Sequence, residues 1–202
     1  LEQLKNYIND VNKLKDRYKD KIKINVGAEV DYVEGFEKEI KSLLDEYGKY
    51  LEDGILSVHM IKIKDEYYCM DFSSEEFEKI VNLLGSIESV YNLYYDTLIK
   101  AVNADLGEYK PKRIGHLNLV RKYNKKFPYD CSKNKKLEEL VKLISEKEYE
   151  LDYNVAGLFK EDCGEVYISG YLAELIKKYN VKVVLGSDSH SSKFIDKYKI
   201  NI

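Results

Sequence analysis

The sequence carries five short apolar runs, and each ends in polar residues able to bind a metal or move a proton. "KIKINVGAEVDYV" holds Glu29 and Asp31, "GILSVHMI" holds His59, and "PKRIGHLNLV" holds His116. "ELDYNVAGLF" holds Asp152 and Asn154, and "VKVVLGSDSH" finishes on Asp188 and His190. Helical periodicity fills the gaps between the runs. Leu1, Leu4, Ile8, Val11 and Leu14 mark one face of an opening helix. "EKEIKSLLDEYGKYL", "SSEEFEKIVNLLG", "SIESVYNLYYDTLIKAVNADLG", "KNKKLEELVKLISEKEY" and "GYLAELIKKYN" predict five more. Ser73 with Glu76, or Ser74 with Phe77, stands at capping-box spacing, and Gly107 is expected to stop the longest helix. "IKIKDEYYCMDFS" reads as a loop or a hairpin.

Strands alternating with helices predict βαβ units and a parallel sheet. Doubly wound and barrel arrangements both satisfy the pattern. In either one the C-terminal strand ends share a face, and ligands bind there. All three histidines of this 202-residue chain fall on that predicted face. Taken singly, each has a bland explanation. A histidine at a strand end is more often a hydrogen-bonded structural residue, and a lone Asp-X-His is more often a turn. Three histidines together, beside Glu29 and Asp188, favour a metal site. Imidazoles and carboxylates suit divalent Zn, Mn or Fe. Clusters of such ions clamp the attacking and leaving oxygens of a phosphoryl transfer. Structural zinc competes poorly, because the chain has no CxxC or HxxxH pair.

Composition narrows the setting. The chain is long enough for one domain over residues 1–202 with its own core. A net charge of -3 gives no global field towards nucleic acid or an anionic membrane, so neither is expected as a partner. No apolar segment approaches bilayer length, and the opening stretch reads as a polar amphipathic helix, not a signal peptide. Cys69, Cys131 and Cys163 are far apart and odd in number, which fits a reduced, cytoplasmic setting. The basic residues are mostly lysine, yet two of the three arginines, Arg113 and Arg121, lie close to His116 in sequence. A need for guanidinium geometry and chance composition explain this equally well. The sequence sets no oligomeric state.

Several segments resemble a known family: "GAEVDY", "GILSVHMI", "DLGEYKPKRIGHLNLVRKY", "ELDYNVAGLFKEDCGEVY" and "VLGSDSH". They resemble the histidinol-phosphatases of the polymerase-and-histidinol-phosphatase (PHP) superfamily, from about Lys21 to His190. "GSDSH" is shared across the superfamily, whereas "KPKRIGHLNLVRKY" and "ELDYNVAGLFK" with "CGE" point to the histidine-biosynthetic branch. The resemblance implies an α/β fold, a distorted parallel (β/α)7 barrel, with a cluster of up to three divalent metals. It implies hydrolysis of a small phosphomonoester, L-histidinol phosphate, to L-histidinol and phosphate. Carried over to matching positions, Glu29, His59, His116, Asp188 and His190 are metal ligands, with Glu29 bridging. Arg121, Lys160 and Asn154 meet the substrate. Arg121 offsets phosphoryl charge, and Asp188 or His190 assists the leaving group.

The chain departs from the family pattern at its start. The family opens with a His-X-His motif on its first strand, and no counterpart is present here. Five strands are visible against the seven of the family barrel. The first two βα units are therefore expected to be absent, leaving less than the full metal cluster and an uncertain activity. Two alternatives stand beside the resemblance. One is a PHP phosphoesterase for another phosphomonoester or for nucleic acid. The other is a degenerate, non-catalytic fragment.

Overall fold

The predicted alternation appears as helices and strands in the order α1 (Glu2–Tyr18), β1 (Gly27–Asp31), α2 (Glu37–Tyr47), β2 (Asp53–Ser57), β3 (Met60–Ile63) and β4 (Glu66–Cys69). There follow α3 (Ser74–Leu84), α4 (Ile87–Asn103), β5 (Arg113–Ile114), α5 (Lys135–Glu146), β6 (Glu150–Asn154), α6 (Gly170–Lys178) and β7 (Val183–Gly186). The structure, a computed structural model, describes residues 2–132 and 134–193. Leu1, placed on the opening helix face above, lies outside the described residues.

Strand order decides between the two sheet arrangements. The sheet runs β1-β2-β5-β6-β7, and every neighbouring pair is parallel. A doubly wound sheet reverses its order midway. Here each new strand joins the same edge, which is the winding of a barrel wall. Among the described residues the wall is open between β1 and β7.

Strand alternation gives this wall two chemically different faces. Val30, Leu56, Ile114 and Leu151 sit on the helix side, in or against the main core. The residues between them turn the other way: Glu29 and Asp31 on β1, Ser57 on β2, Asp152 and Asn154 on β6. The helix-side core centres on α4, whose Val90, Tyr91, Tyr94, Tyr95, Leu98, Ala101 and Val102 are all buried.

Local chemistry sets the element ends. The Ser73 hydroxyl accepts from the Glu76 backbone N–H at 3.1 Å, so the first of the two capping alternatives is the real one. The long helix α4 stops at Asn103, four residues before Gly107. Lys110 explains the early stop. Its ammonium donates to the carbonyls of Ala101, Val102 and Ala104 at 2.7, 2.9 and 2.8 Å, and so satisfies acceptors that a longer helix would have used. On α1, Leu4, Ile8 and Val11 pack with Val26 and Tyr47, but Leu14 is exposed. "GILSVHMI" is not one strand. β2 ends at Ser57, and β3 begins at Met60 as the first arm of an antiparallel hairpin with β4. His59 sits in the gap between them.

Ion pairs stitch the strand starts. Arg113 donates to Asp53 of β2 at 2.9 Å and lies 3.6 Å from Glu150 of β6, which also pairs with Lys182 just before β7. Arg113 therefore belongs to the end of the sheet away from His116, although only two residues separate them. All three cysteines are free. Among the described residues, no helix is long and apolar enough to cross a membrane.

Candidate metal centre

Three of the five expected ligands converge. Each of Glu29, His59 and His116 offers a ligand atom, and these atoms lie within 4.8 Å of one another. They come from the middle of β1, the β2–β3 gap and the exit of β5. Parallel pairing produces this convergence, because Glu29 sits beside Ile55 in register and Asp31 beside Ser57. His116 Nε2 is 3.0 Å from Glu29 Oε1, and His59 Nε2 is 3.7 Å from the same oxygen. The two imidazole rings meet edge to face with centroids 4.8 Å apart.

The backbone near His116 is shaped for this contact. Gly115 lies so close to β2 that a Cβ there would meet Ser57 Oγ at 2.3 Å. His116 has φ +23°, a conformation that costs a non-glycine residue energy. The ring is 2% exposed and its edge faces Tyr167, with centroids 6.3 Å apart. Its Nδ1 is buried with no hydrogen-bond partner.

Electrostatics keep the carboxylate ionised. The hydrogen bond from His116 pulls the Glu29 carboxyl down to about 2 against the opposing effect of burial, with help from the charges of His116 and His59. This gives a pH prediction for the metal-free chain. Glu29 has its ordinary value near 4.5 when unfolded and about 2 when folded. Its contribution is complete above the unfolded value and is lost as pH falls through that window. The side chain is 35% exposed, so solvent reduces the effect to about 1–2 kcal/mol. Urea unfolding of wild type and Glu29→Gln across this range should show a steeper acid loss in the wild type; parallel curves would refute the assignment.

The β6–β7 side is organised differently. Asn154 is 1% exposed, and its amide donates to Asp152 Oδ2 at 3.1 Å and to Asp188 Oδ2 at 3.2 Å. Its carbonyl oxygen accepts from the Ala156 N–H at 2.9 Å. Both amide protons are thus committed inside the protein, which makes Asn154 a brace for Asp188. Burial pushes the Asp152 carboxyl up, opposed by Asn154 and by the His116 backbone amide. Asp188 has φ +50°, and β7 has already ended at Gly186. His190 points outward: its side chain is 86% exposed, and its Nδ1 donates to the Asp188 carbonyl at 3.0 Å. Neither Asp188 nor His190 is part of the converging triad.

The expected phosphate contacts lie on the turns that follow β5 and β6. Arg121 lies in a short 3-10 turn over Leu119–Tyr123, pairs with Glu165 through Nε, and donates from Nη1 to the Tyr129 carbonyl at 3.1 Å. It lines a cavity of about 580 Å³ with Tyr129, Cys131, Glu165 and Tyr171. Lys160 is exposed, just after the 3-10 turn that follows β6. Two residues escaped assignment from sequence. Ser57 had no signal, because a serine in an apolar strand looks neutral. Asp31 did have one: it is two residues from Glu29 and so shares its face.

Comparison with known proteins fits this architecture. The PHP domain family profile matches residues 1–156. The chain is 41% identical to the histidinol-phosphatase of Bacillus subtilis, over 94% of this chain and 71% of that protein. The chain belongs to the histidinol-phosphatase branch of the PHP family. A proposed histidinol phosphatase from Listeria monocytogenes superposes with a TM-score of 0.93 at 34% identity, covering 98% of this chain and 75% of that one. The histidinol phosphate phosphatase of Lactococcus lactis, solved with zinc, L-histidinol and phosphate, gives 0.68 at 26% identity, covering 93% of this chain and 66% of that one. The PHP fold expected from the sequence is thus the fold found, with five parallel strands of its wall among the described residues.

Proposed function

We infer that this PHP-family protein hydrolyses L-histidinol phosphate to L-histidinol and phosphate with a divalent metal. The observation that carries the reading is the 41% identity to the Bacillus enzyme across nearly the whole chain. The converging triad supports it chemically. Two imidazoles and one ionised carboxylate are a donor set that zinc, manganese and iron accept. The 3.0 Å contact of His116 Nε2 with Glu29 Oε1 aims that imidazole nitrogen at the carboxylate. Glu29, His59 and His116 would hold the ion, with Asp188 and His190 supplying further ligands from beyond β7. Zinc is favoured by its presence in the Lactococcus structure.

A divalent ion held there supplies charge for the phosphoryl oxygens and an acidified water near neutral pH. The protein's own groups do the rest. Glu29 stays anionic across the physiological range, so no proton competes for its oxygens. Asn154 holds Asp188 in place by a hydrogen bond at 3.2 Å. Arg121 and Lys160 offer positive charge to a phosphate, and Arg121 does so with Nη2, the guanidinium nitrogen not taken by Glu165 and Tyr129. The 202 residues act as one domain on a small phosphomonoester, and the three free cysteines fit a cytoplasmic setting.

The test is phosphate release from L-histidinol phosphate, before and after chelation, with zinc, manganese or iron restored. Activity should vanish on chelation, return with metal, and exceed that on other phosphomonoesters. Turnover indifferent to chelator, or a stronger preference for another ester, would overturn the reading.

A further inference from the structure

His59 and His116 approach Glu29 Oε1 together, yet only His59 has a carboxylate behind it. Its Nδ1 lies 2.5 Å from Asp31 Oδ1, while the Nδ1 of His116 has no partner. We propose that Asp31 is a positioning residue: it holds His59 in the Nδ1–H tautomer and turns Nε2 towards Glu29 and His116. The proposal rests on the triad being the metal site.

Strand geometry supports the pairing. Residues two apart on a strand share a face, so Asp31 projects beside Glu29. Asp31 is in register with Ser57, and His59 follows Ser57 by two residues just past the strand end. The Asp31 side chain is 50% exposed, so burial does not force the contact, and water was available as an alternative partner. A second carboxylate faces His59 from the segment after β4. That group, Asp71, is held by the Lys122 ammonium at 3.0 Å and receives the Cys69 thiol at 3.3 Å. Lys122 thus engages the competing carboxylate, and Asp31 takes the imidazole. Glu29 is the third acid near the ring, and it faces the other nitrogen.

The consequence is chemical. A neutral imidazole has one proton and one lone pair, and placing the proton on Nδ1 leaves the lone pair on Nε2. A carboxylate at Nδ1 also fixes the ring plane and strengthens Nε2 as a donor to a metal. His116 has no such group, and its buried, strained backbone position orients it instead.

Two readouts test this without histidinol phosphate. In metal-free, 15N-histidine-labelled protein at alkaline pH, two-bond 1H–15N spectra should show His59 as the Nδ1–H tautomer. Asp31→Ala should move it towards Nε2–H. Co2+ affinity, by chelator competition, should fall about 10–100-fold in Asp31→Ala. Asp31→Asn keeps an acceptor oxygen, and it should restore the tautomer and part of the affinity. Thermal unfolding of the metal-free variants should match wild type, separating positioning from folding. A wild-type His59 in the Nε2–H form, or an Asp31→Ala variant with unchanged tautomer or unchanged Co2+ affinity, overturns the proposal. A wild-type chain that binds no Co2+ sinks the metal reading, and the tautomer spectrum then still decides what Asp31 does. Failure to hydrolyse histidinol phosphate touches neither readout.

Discussion

Replacing Glu29 with glutamine is expected to lower phosphate release from histidinol phosphate by on the order of a thousandfold. The change keeps the size of the side chain and removes its charge. Glu29 is the group both imidazoles face, at 3.0 Å from His116 and 3.7 Å from His59. A neutral amide lacks the negative charge that a carboxylate brings to zinc, manganese or iron, and its NH2 group would oppose any donor proton on His116 Nε2. Bound metal should fall with activity, measured by elemental analysis after dialysis. Turnover within tenfold of wild type, with full metal content, would remove Glu29 from the centre of the site. The same variant should lose the acid-sensitive part of its stability, so one substitution reports on the charge in two independent ways.

Gly186→Ala is expected to cost about 2–3 kcal/mol of stability and most of the activity. A Cβ at position 186 would lie 1.8 Å from Asp152 Oδ1 and 2.7 Å from its Cγ. Asp152 is buried. Moving it breaks the hydrogen bond from Asn154, and Asn154 is what holds Asp188. Denaturant unfolding measures the cost. Trimming the obstacle supplies the control: Gly186→Ala with Asp152→Ala should be more stable than the sum of the two single changes. Strict additivity would mean that the two side chains do not meet.

These residues also show what the sequence made legible. The convergence of Glu29, His59 and His116 was readable because parallel strands bring their C-terminal ends to one side, whatever their order. Strand order itself is a long-range property that periodicity does not carry, so barrel and doubly wound sheets stayed equal until the pairing was seen. The outward turn of His190 was hidden for a local reason. Asp-X-His looks like two residues on one strand face, but the strand has ended and the backbone is left-handed at Asp188. The break after Ser57 was hidden because apolar residues continue straight into the hairpin. Of the two arginines near His116, nearness in sequence misled for Arg113, which closes ion pairs at the start of the sheet. Arg121 lies past the strand on the ligand-bearing side.

The chain of charges through Asp53, Arg113, Glu150 and Lys182 gives the molecule a second, separate province. It binds the wall together at the end opposite the histidine–carboxylate triad. Thermal adaptation and catalytic specialisation can therefore be written into different residues of the same strands. An engineer seeking a hardier protein would rework this lower rim, where the pairs are half-buried, and leave the upper rim untouched.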